Sequence, residues 1–213
     1  MEVRVLSSAH MYKEIETLVE VLGNKNELDK FLRKTTAYEE TASFVDTYYF
    51  DPTRPELTPD REGNLKRSFR IRSKGENAFR ITYKIDQFAL DGGWLYSDEL
   101  ETNVGDASVM SGILEQLGLK ELATIRSSKH FFKTDQFSIT LEEVESLGVF
   151  VEVESRESAK VKTEGDIKTI KQRIHAFITS LPVKMSDEIE AGKLGLFLEQ
   201  HATGSSRARS ETL

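Results

Sequence analysis

The sequence predicts an α+β domain, on two kinds of periodicity and one peculiarity of charge. From Phe69 to Glu154 the chain repeatedly alternates apolar with polar residues, the two-residue period of strands with one face buried. Before and after that region, apolar residues recur at helical spacing, giving two helices on each side. The polar face of the strands is ionic rather than the mixture of Thr, Ser and Gln that ordinarily meets water.

The elements follow in order. Ile15, Leu18, Val19 and Leu22 share one stripe, so Tyr12 to Leu22 reads as a helix stopped at Gly23. Leu28, Phe31 and Leu32 give a second, short helix over Asn26 to Leu32. Met1-Glu2-Val3-Arg4-Val5-Leu6 alternates and reads as a first strand. Phe44 to Phe50 is aromatic and β-branched and ends at Asp51-Pro52, before a Pro-, Asp- and Gly-rich loop over Thr53 to Asn64. Strands follow around Phe69 to Arg72 and Phe79 to Lys84, then Trp94 to Thr102 after Gly92-Gly93. Asp106 caps a helix reaching Leu117, closed by Gly118. Thr124 to Lys133 and Phe137 to Val144 form a hairpin turning near Thr134-Asp135, and Val149 to Ser155 is the last strand. Helices close the chain over Glu164 to Thr179 and Asp187 to Glu199. With no repeat and no linker, residues 1–200 read as one domain and 201–213, small and polar, as a disordered tail.

Composition narrows the function. The 213 residues carry 36 acidic and 29 basic side chains, a net charge of -7 that disfavours nucleic acid. No run approaches the roughly 20 apolar residues of a membrane span, and the N-terminus lacks a signal-peptide layout, so a cytoplasmic protein is expected. The absence of cysteine excludes disulfides, thiol catalysis and thiolate metal sites. The four histidines show no paired spacing.

The ionic strand face pairs Glu2 with Arg4, Arg70 with Arg72, Arg80 with Lys84, Glu99 with Glu101, Thr140 with Glu142 and Glu152 with Glu154. Two architectures accommodate it. An open sheet could leave the charges in water, the commoner outcome. A curled or closed sheet could line a cavity with them and place its apolar face under the helices. Arginines converging there would suit an anion with several charged oxygens, and carboxylates a hard cation.

Four collinear segments resemble the CYTH family. They are Asp46-Thr47-Tyr48-Tyr49-Phe50-Asp51; Phe69-Arg70-Ile71-Arg72 with Ile81-Thr82-Tyr83-Lys84; the run from Ile139 to Glu154 with its Leu147-Gly148 and Glu152-Val153-Glu154; and Lys193 before Leu196 to Leu198. The resemblance implies a closed antiparallel β-barrel, a triphosphate tunnel, with the helices packed outside. It implies phosphate binding by Arg70, Arg72, Lys84, Arg126, Lys129 and Lys193, and Mg²⁺ or Mn²⁺ held by Glu2, Glu152 and Glu154. Arg70, Arg72, Lys84 and Glu142 would act in catalysis, with Glu142 accepting from the bases. The implied ligand is a triphosphate such as ATP, thiamine triphosphate or tripolyphosphate, and a homodimer is allowed.

Two departures stand out. The family opens on Glu-x-Glu-x-Lys, whereas Glu2-Val3-Arg4-Val5-Leu6 keeps only the first glutamate. Ser127 and Lys129 stand where a Lys-x-Arg pair is usual. The leading expectation is a metal-dependent enzyme, resembling class IV adenylyl cyclase or a triphosphate phosphohydrolase. The alternative is a catalytically degenerate triphosphate-binding module, favoured by Arg4 and Leu6.

Overall fold

A computed structural model describes residues 11–60, 65–90 and 92–208. The strands are β1 (Tyr12–Glu14), β2 (Glu16–Val21), β3 (Ala37–Phe50), β4 (Arg67–Lys74), β5 (Ala78–Phe88), β6 (Trp94–Val104), β7 (Lys120–Lys133), β8 (Phe137–Val144), β9 (Gly148–Ser155) and β10 (Met185–Glu188). The helices are α1 (Lys25–Thr35), α2 (Ala107–Gln116), α3 (Glu164–Thr179) and α4 (Gly192–Ala208).

The ten strands among the described residues belong to one antiparallel sheet, ordered β1-β6-β5-β4-β3-β7-β8-β9-β2-β10. Its closure lies in the stretch Tyr12–Val21. Only Ile15 separates β1 from β2, yet β1 pairs with β6 and β2 with β9. One length of chain therefore joins the two ends of the curled sheet, and every ring strand finds partners on both sides. The register sets Tyr12 opposite Glu99, Glu16 opposite Glu154 and Leu18 opposite Glu152. Strand β10 adds to the outside of β2.

Two apolar layers coat the barrel wall. On one side Val19, Ile139, Leu141, Val151 and Val153 pack beneath α1 and α3, which contribute Leu28, Leu32, Ile167, Ile170, Ile174 and Ile178. The α3 residues recur at helical spacing, and Thr163 with Asp166 forms a capping box at its start, typically about 1 kcal/mol of helix stability. On the other side Tyr49 and Ile71 pack under Leu114 of α2 and the adjoining Leu119. A third cluster is inside the ring: Leu18, Tyr48, Ile125, Val144 and Phe150, all of inward parity, meet Leu194, Leu196 and Phe197 of α4. Helix α4 thus stoppers one end of the barrel. Gly192, at φ +61°, gives the left-handed turn that sets its direction.

Two elements differ from the sequence-based expectation. The stretch Tyr12 to Leu22 is strand, not helix. Leu18 is buried inside the ring and Val19 outside it, so adjacent apolar positions fill both faces and imitate a helical stripe. The last helix begins at Gly192 rather than Asp187, because Met185–Glu188 pairs with β2. The expected strand containing Glu2 and Arg4 lies outside the described residues, as do residues 209–213 of the expected tail 201–213, whose residues 201–208 continue α4.

Candidate functional site

The barrel encloses a cavity of about 520 Å³. Arg70 and Arg72 reach it from β4, and Arg80, Thr82, Lys84 and Asp86 from β5, alternate residues on strands whose other faces carry Ile71 and Ile81. Glu99 and Glu101 come from β6, Lys129 and Phe131 from β7, Thr140 from β8, and Glu152 and Glu154 from β9. The closing stretch contributes Tyr12, Glu14, Glu16 and Leu18, and α4 brings Lys193 over one end.

The charges form a network. Arg72 donates to both oxygens of Asp46, Nε and Nη2 each at 2.7 Å. Lys84 Nζ lies 2.8 Å from Glu14, 3.3 Å from Glu16 and 3.4 Å from Glu99. Lys193 donates to Glu142 at 2.7 Å and Glu152 at 2.6 Å, and Glu142 also faces Lys129 at 3.2 Å. Arg70 is the least satisfied. Its Nη2 reaches Thr82 at 3.3 Å and Glu101 only at 3.9 Å, while its buried Nε has no hydrogen-bond partner. A buried, under-paired guanidinium is poised for an oxyanion.

Among the described residues the carboxylates are in excess: ten line the cavity beside six cations. The bases are therefore not an uncompensated cluster, because most are already paired. Burial, reinforced by Glu99 and Glu152, pushes Glu14 up to about 7 despite Lys84. Burial with Glu14 and Glu152 does the same for Glu16, to about 7, and burial with Glu14 takes Glu154 to about 8. The Tyr12 hydroxyl donates to Glu154. Glu152 goes the other way: burial raises it, but Lys193 and Lys129 hold it well below the usual carboxylate range. Burial and the neighbouring Lys193 and Arg72 bring Lys129 down to about 8.

Of the residues singled out from sequence, Arg70, Arg72, Lys84, Lys129, Lys193, Glu152 and Glu154 line the cavity, and Glu142 lies behind Lys129 and Lys193. Arg126 does not: it is exposed, and three residues from Lys129 it must face the opposite side of a regular strand. Glu2 lies outside the described residues. Sequence reasoning missed Glu14 and Glu16, hidden by the helical reading of their segment. The alternation of Tyr12, Glu14 and Glu16 is the signal that could have found them. With them the Glu-x-Glu-x-Lys opening becomes Glu14-Ile15-Glu16-Thr17-Leu18, so only the lysine is replaced. Asp46, the partner of Arg72, also received no role from sequence.

The comparisons agree with this geometry. The model of the CYTH domain matches residues 12–191. A protein of Methanocaldococcus jannaschii named "Putative adenylate cyclase MJ0240" is 28% identical over 144 residues, 66% of this chain and 75% of that protein. The structure of the PH1819 protein from Pyrococcus horikoshii superposes with a TM-score of 0.69 at 26% identity, covering 87% of this chain and 99% of that one. HpAC1 from Hippeastrum, whose structure is described with a dominant triphosphatase activity, shares the fold at a TM-score of 0.61 and 15% identity, over 88% and 96% of the two chains. The matched region begins at Tyr12, where the barrel closes, and ends beside Gly192, where the stopper helix starts. The chain belongs to the CYTH domain family.

Proposed function

We propose that this chain is a metal-dependent enzyme acting on a nucleoside or organic triphosphate, with the phosphate chain held inside the barrel. The observation that carries the reading is the closed ionic cavity in which Arg70 stays buried and under-paired. In it Arg70, Arg72, Lys84, Lys129 and Lys193 would bind phosphate oxygens. Each now faces a carboxylate, Arg70 only at 3.9 Å, that it would share with or release to the ligand.

The donor chemistry suits Mg²⁺ or Mn²⁺. Glu14 and Glu16 on one run, and Glu152 and Glu154 on the adjacent strand, offer only hard oxygen ligands. Their raised affinity for protons in Glu14, Glu16 and Glu154 marks a local excess of negative charge that a cation would relieve. Among the described residues no three such side chains converge on one point. Lys84, Lys193 and the Tyr12 hydroxyl occupy their oxygens. Gathering them round an ion therefore goes with the lysines turning to phosphate. A divalent ion held by these carboxylates would supply neutralisation of phosphate charge.

The remaining chemistry is positioning. The cations orient the phosphates for in-line displacement, whether by a ribose hydroxyl, as in a cyclase, or by water, as in a phosphohydrolase. The Methanocaldococcus relative's name favours the first. The second reading is a binding module without efficient turnover, and Leu18 in place of lysine is what favours it. Glu14→Gln with Glu16→Gln separates the two from a bare barrel. The variant should lose metal-dependent turnover and Mg²⁺-dependent binding of tripolyphosphate together. Retention of both would remove these residues from the metal site.

A further inference from the structure

The two ends of the sheet meet along a short contact only. Strand β1 pairs with β6 over Ser97 to Glu99, and past Glu14 the chain turns to β9 and β10. Among the described residues, no strand pairs with the Trp94 to Tyr96 end of β6 on that side. A seam is left in the wall beside Glu16, and side chains rather than a ladder hold it shut.

Lys171 of α3 spans this seam. Its Nζ donates to the main-chain oxygen of Glu16 at 2.7 Å and to the carboxylate of Glu188 on β10. The same ammonium lies 4.2 Å from the centre of the Trp94 ring on β6, within cation–π range. Trp94 in turn donates from Nε1 to Asp86 at 3.3 Å, and Ser97 Oγ donates to the same carboxylate oxygen at 2.6 Å. Asp86 shares its strand face with Lys84, two residues away. Glu16, Trp94, Asp86 and Glu188 all line the cavity, while Lys171 stands behind them. One ammonium therefore ties three strands together around Glu16 and leads through Trp94 to the neighbour of Lys84.

The position is an unexpected one for a lysine. Ile167, Ile170, Ile174 and Ile178 form the buried stripe of α3, and Lys171, four residues after Ile167 and three before Ile174, falls within it. Its side chain is only 14% exposed. A helix packed for stability alone would carry leucine or methionine there, because apolar groups of like volume often equal or better a buried ion pair. Glu188 does not require the lysine either, since His175, one turn further along α3, lies 3.1 Å from its other oxygen. What Lys171 adds is the link from Glu16 to Trp94.

Resting on the phosphate-binding reading above, we propose that Lys171 is a positioning residue for that site: it fixes the Glu16 main chain and the Trp94–Asp86 pair, so that Glu16 and Lys84 keep their aim into the cavity. It touches no reacting atom. Its effect passes through groups that would meet the ion and the phosphates, and outer contacts of this kind are typically worth about tenfold or more in metal affinity.

The test is isothermal titration of the full chain with tripolyphosphate and Mg²⁺, beside urea denaturation. Lys171→Met, which suits the apolar stripe, should weaken binding about tenfold while stability holds or rises. Lys171→Arg, which keeps the charge and its donors, should restore most of the affinity. Trp94 is the chain's single tryptophan, so acrylamide should quench the fluorescence of Lys171→Met more than that of the wild type. Ile174→Ala, a neighbour in the same stripe, is the control for a loosened helix. Unchanged affinity in Lys171→Met, no recovery in Lys171→Arg, or an equal loss in Ile174→Ala would overturn the inference while leaving the phosphate site standing. Should Lys171→Met not fold, Trp94→Phe removes the indole N–H but keeps a ring, and should weaken binding about threefold; unaltered binding there would overturn the inference as well. Failure of the wild type to bind tripolyphosphate at all would instead remove the phosphate-binding reading, and this inference with it.

Discussion

Lys193 is the sharpest place to perturb the network, because it couples α4 to the barrel interior through Glu142 and Glu152. Lys193→Met keeps most of the side-chain volume and removes the charge. The cost depends on burial. An exposed ion pair contributes about 0–1 kcal/mol, whereas removing one partner of a buried pair costs about 3–5 kcal/mol. Here Lys193 is 13% exposed, Glu142 2% and Glu152 22%, which selects the buried case. Glu142 retains Lys129 at 3.2 Å, so the stranded charge is that of Glu152, and its partial contact with water places the loss near about 3 kcal/mol. For a protein of this size that is roughly 6–12 °C in Tm.

The same variant carries a signature in pH. Burial raises Glu152, and Lys193 first, then Lys129 and Lys84, hold it low. In the wild type a carboxylate with a depressed pKa contributes stability above its unfolded value, and that contribution disappears as pH falls. Without Lys193, Glu152 becomes costly when ionised, so the penalty should be largest near neutral pH and shrink toward pH 4. Urea denaturation at several pH values measures both, and adding Glu152→Gln should recover much of the loss. A penalty under about 0.5 kcal/mol, or one independent of pH, would show that α4 is held by apolar contacts alone.

Further outcomes follow from the same structure. Glu14, Glu16 and Glu154 bind protons more tightly folded than unfolded, so their contribution favours the fold at low pH. It is lost as pH rises through about 7 to 8, the values to which burial and like charges push them. The Tm of the ligand-free protein should accordingly fall between about pH 5 and pH 8, with Mg²⁺ reducing the fall; a Tm rising across that window would contradict the carboxylate cluster. Arg70→Ala should abolish tripolyphosphate binding with the circular dichroism spectrum unchanged, and unaltered affinity would take Arg70 out of the site. Ile174→Ala, in the fully buried stripe of α3, should cost about 2–5 kcal/mol in urea denaturation yet leave tripolyphosphate affinity intact, because α3 packs on the outer wall. A matching loss of affinity would mean that wall and cavity are not independent.

Much of the barrel was legible because its strands carry different chemistry on their two faces. Arg70 and Arg72 alternate with Phe69 and Ile71, and Arg80, Thr82 and Lys84 with Phe79, Ile81 and Tyr83, so strand, parity and inward face could be read together. The closing run was not legible for the converse reason. Leu18 and Val19 are adjacent and both buried, one against α4 inside the barrel and one under α3 outside, so the two-residue period breaks where it matters most. That misplaced the signature glutamates twelve residues upstream of Glu14 and made the first strand look more degraded than it is. Arg126 failed on parity, a rule available from sequence once Lys129 is taken as inward-facing. Asp46 could be noticed but not paired, because its contact with Arg72 depends on which strands become neighbours. The excess of carboxylates likewise emerges only when the strands share one interior.

The most direct test of the central claim is titration of the full chain with Mg²⁺-tripolyphosphate and Mg²⁺-ATP, with the same samples assayed for phosphate, pyrophosphate and cyclic AMP. Metal-dependent binding accompanied by one of these products is the expected result. Absence of binding to either ligand, with and without metal, would contradict it and leave a CYTH barrel whose charges serve only one another.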